Sequence, residues 1–176
     1  MKLAVTDANI FIDLIKLQML ALLFTIGMEI HTTQEIVDQL NDDQLVDLIK
    51  FIDCHYLHVH FLSALQLEEV VDLKAPRALE FADKSVVWLS LHLRAAVLTG
   101  DGPLRRFCQS KHLEVRGIIW LFDIMVEKGL VNPQFAAAKM ESLLGFNNRL
   151  PKEECFRRIH HWRTIFTQIP DQTKSV

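Results

Sequence analysis

The stretch KLAVTDANIFIDL, Lys2 to Leu14, decides the fold. Leu3 to Thr6 is a short apolar run that reads as a buried strand. Asp7-Ala8-Asn9 makes the turn, and a helix runs from Ile10 to about Phe24. The pattern returns in AAVLTGDGPLRR, Ala95 to Arg106. There Ala95 to Leu98 is the strand, and Pro103 suits the first turn of a helix starting after Asp101. Between the two lies LEFADKSVVWLSLHL, Leu79 to Leu93, a helical segment that leads directly into the second strand. Its apolar residues, Val86, Val87, Leu89, Leu91 and Leu93, spread widely enough for a well-buried helix.

Working outward, Glu29 to Thr32 is a short strand after Gly27 stops the first helix. Thr33 is placed to cap a helix over Gln34 to Leu40, and Gln44 to Cys54 is another helix. Tyr56 to Phe61 alternates and is rich in β-formers, so it is predicted as a strand. Ala64 to Leu73 is helical, and Pro76 begins a turn or a new helix. Leu113 to Val115 is a fifth strand. The remainder is all helical: Ile118 to Lys128, Pro133 to Leu144 and Lys152 to Gln168, with Gly129 and Gly145 where C-terminal caps belong. Alternating β and α followed by a helical tail implies a parallel sheet layered by helices. One domain over residues 1–176 is expected, with an α/β core at 1–117 and a helical extension at 118–176.

The composition narrows the function. The formal net charge is -3 and the pI about 6.2. A protein living on generic nucleic-acid binding is usually basic, so any such role must rest on a local patch. Cys54, Cys108 and Cys155 are odd in number and far apart, which argues against a disulfide framework or a zinc site. They read as reduced thiols in a cytoplasmic protein. The apolar stretch from Ile10 to Ile26 is interrupted by Asp13 and Lys16, too short and too charged for a membrane span or a signal peptide.

The chemistry lies in three aspartates. Asp7 and Asp101 end the two strand motifs, and Asp83 begins the helix between them. Each alone could simply cap a helix. Jointly, a parallel sheet brings them to the carboxyl ends of its strands, where open α/β folds hold their sites. Carboxylates gathered there repel unless a hard divalent cation sits among them. Asn9 and Thr99 stand beside them as neutral oxygen ligands. That points to a Mg²⁺ or Mn²⁺ site and to phosphoryl chemistry.

The three blocks VTDANIFIDL, FADKSVVWLSLHL and VLTGDGPLRR, in this order and spacing, resemble PIN-domain proteins, especially toxins of the VapC type. The resemblance covers nearly the whole chain. It implies a three-layer α/β/α sandwich and a Mg²⁺- or Mn²⁺-dependent endoribonuclease. Asp7, Asp83 and Asp101 match the family's metal-binding acids, and Thr99 matches a small polar residue two before the last acid. Such toxins act on RNA, dimerise with a second copy and are held by a cognate antitoxin. The antitoxin is expected to cover an apolar groove between the Ile10–Phe24 helix and the Gln34–Cys54 region. One position departs. The family carries Glu before Leu in the helix after the second strand; here the aligned residue is Gln39, in TTQEIVDQL. Glu35, one turn earlier, is the expected substitute, while Asp38 would point about 100° away. The rival expectation is therefore a weak or inactive PIN-like binding module.

Other residues are weighed against these. Lys84, Arg105 and Arg106 could contact an RNA backbone or be solvated helix surface. The eight histidines read as surface or packing residues; His58 and His60 share a strand face, and no pair has helical zinc spacing. In KEECFRRIHHWRTIF, the stripe Phe156, Ile159, Trp162, Phe166 reads as core or a self-association face. RNA contact by Arg157, Arg158 and Arg163 is the sharper alternative. A receiver-type phosphotransfer domain needs a lysine after a late strand, and Arg116-Gly117 offers none.

Overall fold

The computed structural model describes residues 2–167, with side chains as far as residue 164. Five strands form one all-parallel sheet in the order β3-β2-β1-β4-β5. They are β1 (Lys2–Thr6), β2 (Met28–Thr33), β3 (Leu57–His60), β4 (Ala96–Leu98) and β5 (Val115–Arg116). Helices α1 (Ala8–Lys16) and α2 (Leu20–Leu23) link β1 to β2, and α3 (Gln34–Val37) and α4 (Asp42–Asp53) link β2 to β3. Next come α5 (Ala64–Asp72) and α6 (Phe81–Leu93) before β4, α7 (Gly102–Ser110) before β5, then α8 (Ile118–Glu127), α9 (Pro133–Phe146) and α10 (Lys152–Thr167). Crossovers run outward from β1 through β2 to β3, then back across to β4 and β5. Because such connections are right-handed, the two directions cover opposite faces of the sheet. The result is an α/β/α sandwich with a helical C-terminal region.

The chain forms two compact units, Met1–Leu121 and Phe122–Val176. The first holds the sheet. Ala4 and Val5 of β1, Ile30 of β2 and Val97 and Leu98 of β4 are wholly or nearly buried, as parallel strands covered on both faces require. Helix α6 lies against β1, β2 and β4. Seven of its residues, including Val86, Val87, Trp88 and Leu89, are buried. That explains why its sequence carries an apolar face much wider than a surface helix needs.

In the second unit α9 packs on α10. Ala136, Ala137, Met140 and Leu143 are buried on α9, and Cys155, Ile159 and Trp162 on α10. The α10 stripe thus runs through Cys155, and Phe156 stands 59% exposed. The side chain of Phe166, and Gln168 at the predicted helix end, lie outside the described residues. The arginines of α10 are engaged by acids. Arg158 Nε lies 2.8 and 3.0 Å from the two Asp123 oxygens, Arg163 pairs with Glu141 at 2.8 Å, and Arg157 pairs with Glu154. Arg157 and Arg163 nonetheless stay mostly exposed, at 72% and 57% of their side chains. No helix among the described residues is long and apolar enough to cross a membrane.

Several predicted boundaries move. The first helix is not continuous from Ile10 to Phe24: it stops at Lys16, Gln18 takes φ 57, and α2 starts afresh at Leu20. The stop is a Schellman motif, with Gln18 N–H donating to Ile15 O and Met19 N–H to Leu14 O. The same pair of bonds, around a left-handed residue, ends α4 at His55, α7 at His112 and α8 at Gly129. Arg94, φ 52, ends α6 with Ala95 N–H donating to Ser90 O. Gly145 lies inside α9 and caps nothing. The Pro76 segment is a turn, closed by Leu79 N–H donating to Pro76 O. Thr33 precedes α3 without a side-chain cap; its hydroxyl is spent on Ser85 Oγ at 2.7 Å.

Candidate active site

The strand order reverses between β1 and β4, and in open α/β sheets ligands bind at that switch, outside the carboxyl ends of the strands. Val5 pairs with Val97 and Thr6 with Leu98, so the residues just beyond, Asp7 and Thr99, come side by side. Asp7 is the N-cap of α1, and its Oδ1 accepts from Ala8 N at 2.7 Å. Its Oδ2 accepts from Thr99 Oγ1 at 2.7 Å and also from Asn9 Nδ2. Thr99 Oγ1 in turn accepts from Asp101 N at 3.0 Å. Asn9 Oδ1 accepts from Gly100 N at 2.8 Å. One side-chain network therefore clasps the β1–α1 turn to the β4–α7 turn. Gly100 is needed there, since a Cβ would come within 3.1 Å of Asn9 Oδ1.

Asp101 caps α7, accepting from Leu104 N at 2.8 Å through Oδ1. Asp83 is the third residue of α6, not its cap; its Oδ2 reaches back to Glu80 N at 2.9 Å. So Asp7 and Asp101 cap their helices, while Asp83 reaches back to the cap residue Glu80 from the third position of α6. The three acids also sense one another. Burial first, and then the charges of Asp83 and Asp101, push the Asp7 carboxyl up to about 6, against the bonds from Thr99 and Ala8. Asp83 is raised too, by burial and then by Asp101 and Glu80. Cys108 lies close enough to feel Asp7, and burial drives its thiol up to about 12.

Glu35 sits at the start of α3, and its Oε2 is buried with no hydrogen-bond partner. The Thr33–Ser85 hydrogen bond ties the start of α3 to α6, two residues beyond Asp83. Gln39 falls outside α3, in an exposed turn. The helix ends at Val37, so Glu35 and Gln39 do not share one continuous α-helical face. Asp38 is also exposed and accepts from Gln34 Nε2 at 2.7 Å.

The basic candidates separate. Arg105 Nη2 donates to Thr99 O at 2.9 Å, which places its guanidinium at the rim of the clasp. Gly117 leaves it room, because a Cβ there would meet Arg105 Nη2 at 2.8 Å. Arg106 extends past Gly102. Lys84 turns to the carbonyl of Val71 on α5, at 3.4 Å, and is not aimed at the acids.

A divalent cation suits the chemistry of these donors. Asp7, Asp83, Asp101 and Glu35 offer carboxylate oxygens, with the neutral oxygens of Thr99 and Asn9 beside them, which is a hard-cation set. Among the described residues, the second oxygens of Asp83 and Asp101 accept no hydrogen bond, and Glu35 Oε2 is buried without one. No three such side chains among the described residues already close on one point.

Sequence reasoning put His58 and His60 on one strand face but did not bring His31 to them. His31 Nδ1 lies 3.0 Å from His60 Nε2, and the His31 ring stacks on that of His58. The signal was the register of β2 against β3, which spacing along one strand does not contain.

A family model described as a PIN domain matches residues 3–163. No curated protein matches the chain.

Proposed function

The chain belongs to the PIN-domain family, whose fold is of a nuclease type, and on that premise we propose that it is a Mg²⁺- or Mn²⁺-dependent endoribonuclease. The observation that carries this reading is the buried Asp7 carboxyl, raised to about 6 and coupled to Asp83 and Asp101 at the sheet's switch point. A site that holds carboxylates together against their own repulsion is built for positive charge. In this reading Asp7, Asp83 and Asp101 hold the ion, with Glu35 standing in for the glutamate that Gln39 replaces. Held by these residues, such an ion would supply Lewis-acid polarisation of a phosphate and a lowered pKa for water.

The protein's own groups do the rest. Thr99 and Asn9 fix the Asp7 carboxylate in one rotamer, and their bonds to Asp101 N and Gly100 N keep the two turns in register. Arg105, anchored on Thr99 O, offers charge to a phosphate at the rim. Toxin function, an antitoxin partner and a homodimer extend the same proposal. A cavity of about 270 Å³ lies where the antitoxin groove is expected, lined by Ile15, Leu20, Ala21 and Phe51 but also by the polar Gln18, Asp47 and Lys50.

The second reading is a weak or inactive binding module. It is favoured by Gln39, which is uncharged and exposed.

Cleavage of a pool of structured RNAs in Mg²⁺, Mn²⁺ or EDTA tests the first reading. Asp101→Asn is the control, because Asn caps a helix as well as Asp and the fold should persist. Metal-dependent cleavage is expected, reduced at least ~100-fold in the variant, as for loss of one electrostatic group in a preorganised site. Gln39→Glu is expected to raise it. Silence in every metal from folded protein, with no gain from Gln39→Glu, would leave the module.

A further inference from the structure

We propose that Glu29, His31 and His58 form a second cation site of a different chemical kind, taking a zinc-type transition-metal ion across strands β2 and β3. His31 and His58 are register partners on the two strands, and Glu29 precedes His31 by two residues, so all three side chains leave the same face. His31 is 6% exposed. Its Nε2 lies 3.2 Å from Glu29 Oε1, and His58 Nε2 lies 3.6 Å from the same oxygen.

The His31 Nε2 atom carries the argument. It is buried and has no hydrogen-bond partner, because its approach to Glu29 is close but not aligned for N–H donation. On the other side of the ring, Nδ1 meets His60 Nε2 at 3.0 Å. When Nδ1 donates there, Nε2 presents a bare lone pair to a carboxylate oxygen. Two acceptors then face each other, and a cation between them satisfies both. With the opposite tautomer, Nε2–H is a buried donor that misses its carboxylate. In that state Glu29 Oε1 faces it at 3.2 Å, and an ion would take the place of that contact.

The spacing fits an ion. Zinc–nitrogen and zinc–oxygen bonds of about 2.0–2.1 Å place neighbouring tetrahedral ligands about 3.3 Å apart. The two separations from Glu29 Oε1 bracket that value. Among the described residues the set does not close on one point as it stands; closure asks His58, whose side chain is 42% exposed, to move. His60 then serves as the outer partner that fixes the ligating tautomer of His31, as is usual for metal-bound imidazoles. Burial and neighbouring imidazoles hold both His31 and His60 below the ordinary histidine range, which keeps the rings neutral and ready to ligate. Two imidazoles and one carboxylate favour Zn²⁺, Co²⁺, Ni²⁺ or Cu²⁺ over Mg²⁺. The ion would cross-link β3, an end strand of the sheet, to β2. This inference does not rest on the nuclease reading.

Titration of Co²⁺ into the metal-stripped full chain tests it, followed by visible absorption and by the thermal midpoint. A nitrogen-ligated Co²⁺ band that Zn²⁺ displaces and excess Mg²⁺ does not, with a rise in Tm, is expected. Both signals should vanish in His58→Ala and in Glu29→Gln, while His60→Ala should weaken affinity roughly 10–100-fold. Asp101→Asn should keep the band. Absence of the band in the wild-type chain, its survival in folded His58→Ala and Glu29→Gln, or its loss in Asp101→Asn would each overturn the proposal.

Discussion

Asp7 holds its charge at a cost to the fold. Its carboxyl titrates near 6 in the folded chain, against a reference of 3.8. A raised carboxyl contributes stability when protonated, so the contribution is full below about pH 3.8 and is lost as pH rises through about 6. The loss is on the order of 3 kcal/mol in metal-free protein. Asp7→Asn removes the charge and keeps both cap and shape. In EDTA its stability relative to wild type is expected to rise by on the order of 1–3 kcal/mol between pH 4 and pH 7, on top of a pH-independent cost from the two bonds that Asp7 Oδ2 accepts from Thr99 and Asn9 and an amide nitrogen cannot. Urea unfolding of the pair across pH measures this; a relative stability that does not rise with pH would contradict it. The variant should also lose metal-dependent cleavage, the usual exchange between stability and a charged site. Asp7 and Asp101 were legible because strand, acid and helix follow one another in the chain. The Asn9–Gly100 clasp was not, because it joins turns that are distant in sequence and adjacent only through β1 and β4. Glu35 was reached by an argument from helical spacing that the early end of α3 undoes; the buried orphan oxygen is what now recommends it.

At the scale of elements, the helix ends depart most from sequence expectation. Gln18, His55, Arg94 and His112 adopt left-handed backbone at φ 52 to 59, a conformation that costs a non-glycine residue about 1–2 kcal/mol. Reading a stop from glycine finds Gly129 and misses these four. It also marks Gly145, which the helix simply runs through. At two of the stops the next residue is buried, Met19 after Gln18 and Ala95 after Arg94, and the chain must turn to bury it; Tyr56 after His55 is exposed. The strain is local and exposed, so it can be relieved. His55→Gly and His112→Gly are each expected to add about 0.5–1 kcal/mol. They lie on different helices, so their effects should nearly add and raise Tm by roughly 2–4 °C per kcal/mol. Calorimetry on the double variant checks this, and a fall in Tm would mean that the histidine side chains do work that their exposure hides.

At the scale of the whole molecule, the parallel sheet was legible from repetition: an apolar run, an acid or turn, then a helix. No single segment specifies it, but the ordering admits few other layouts. The strand order, β3-β2-β1-β4-β5, was not read from the sequence, because it rests on pairings between segments distant in the chain. The change from α/β core to helical extension expected at 117/118 lies four residues before the division into two units. That division falls inside α8, in IIWLFDIMVE, where no proline, glycine or polar run interrupts the helix. The candidate site belongs wholly to the first unit.

The three thiols are distributed over this architecture with unequal access. Cys54 is exposed beyond the end of α4, whereas Cys108 and Cys155 are fully buried, and burial raises the titration of both. Thiolate is the reactive form, so the folded chain should present one reactive sulfur to a colorimetric thiol reagent and three after denaturation. Two or more fast equivalents from native protein would contradict the packing around α7 or α10. An unaltered chain therefore accepts a fluorophore or spin label at one chosen point, so that distance measurements to a bound partner need no cysteine engineering.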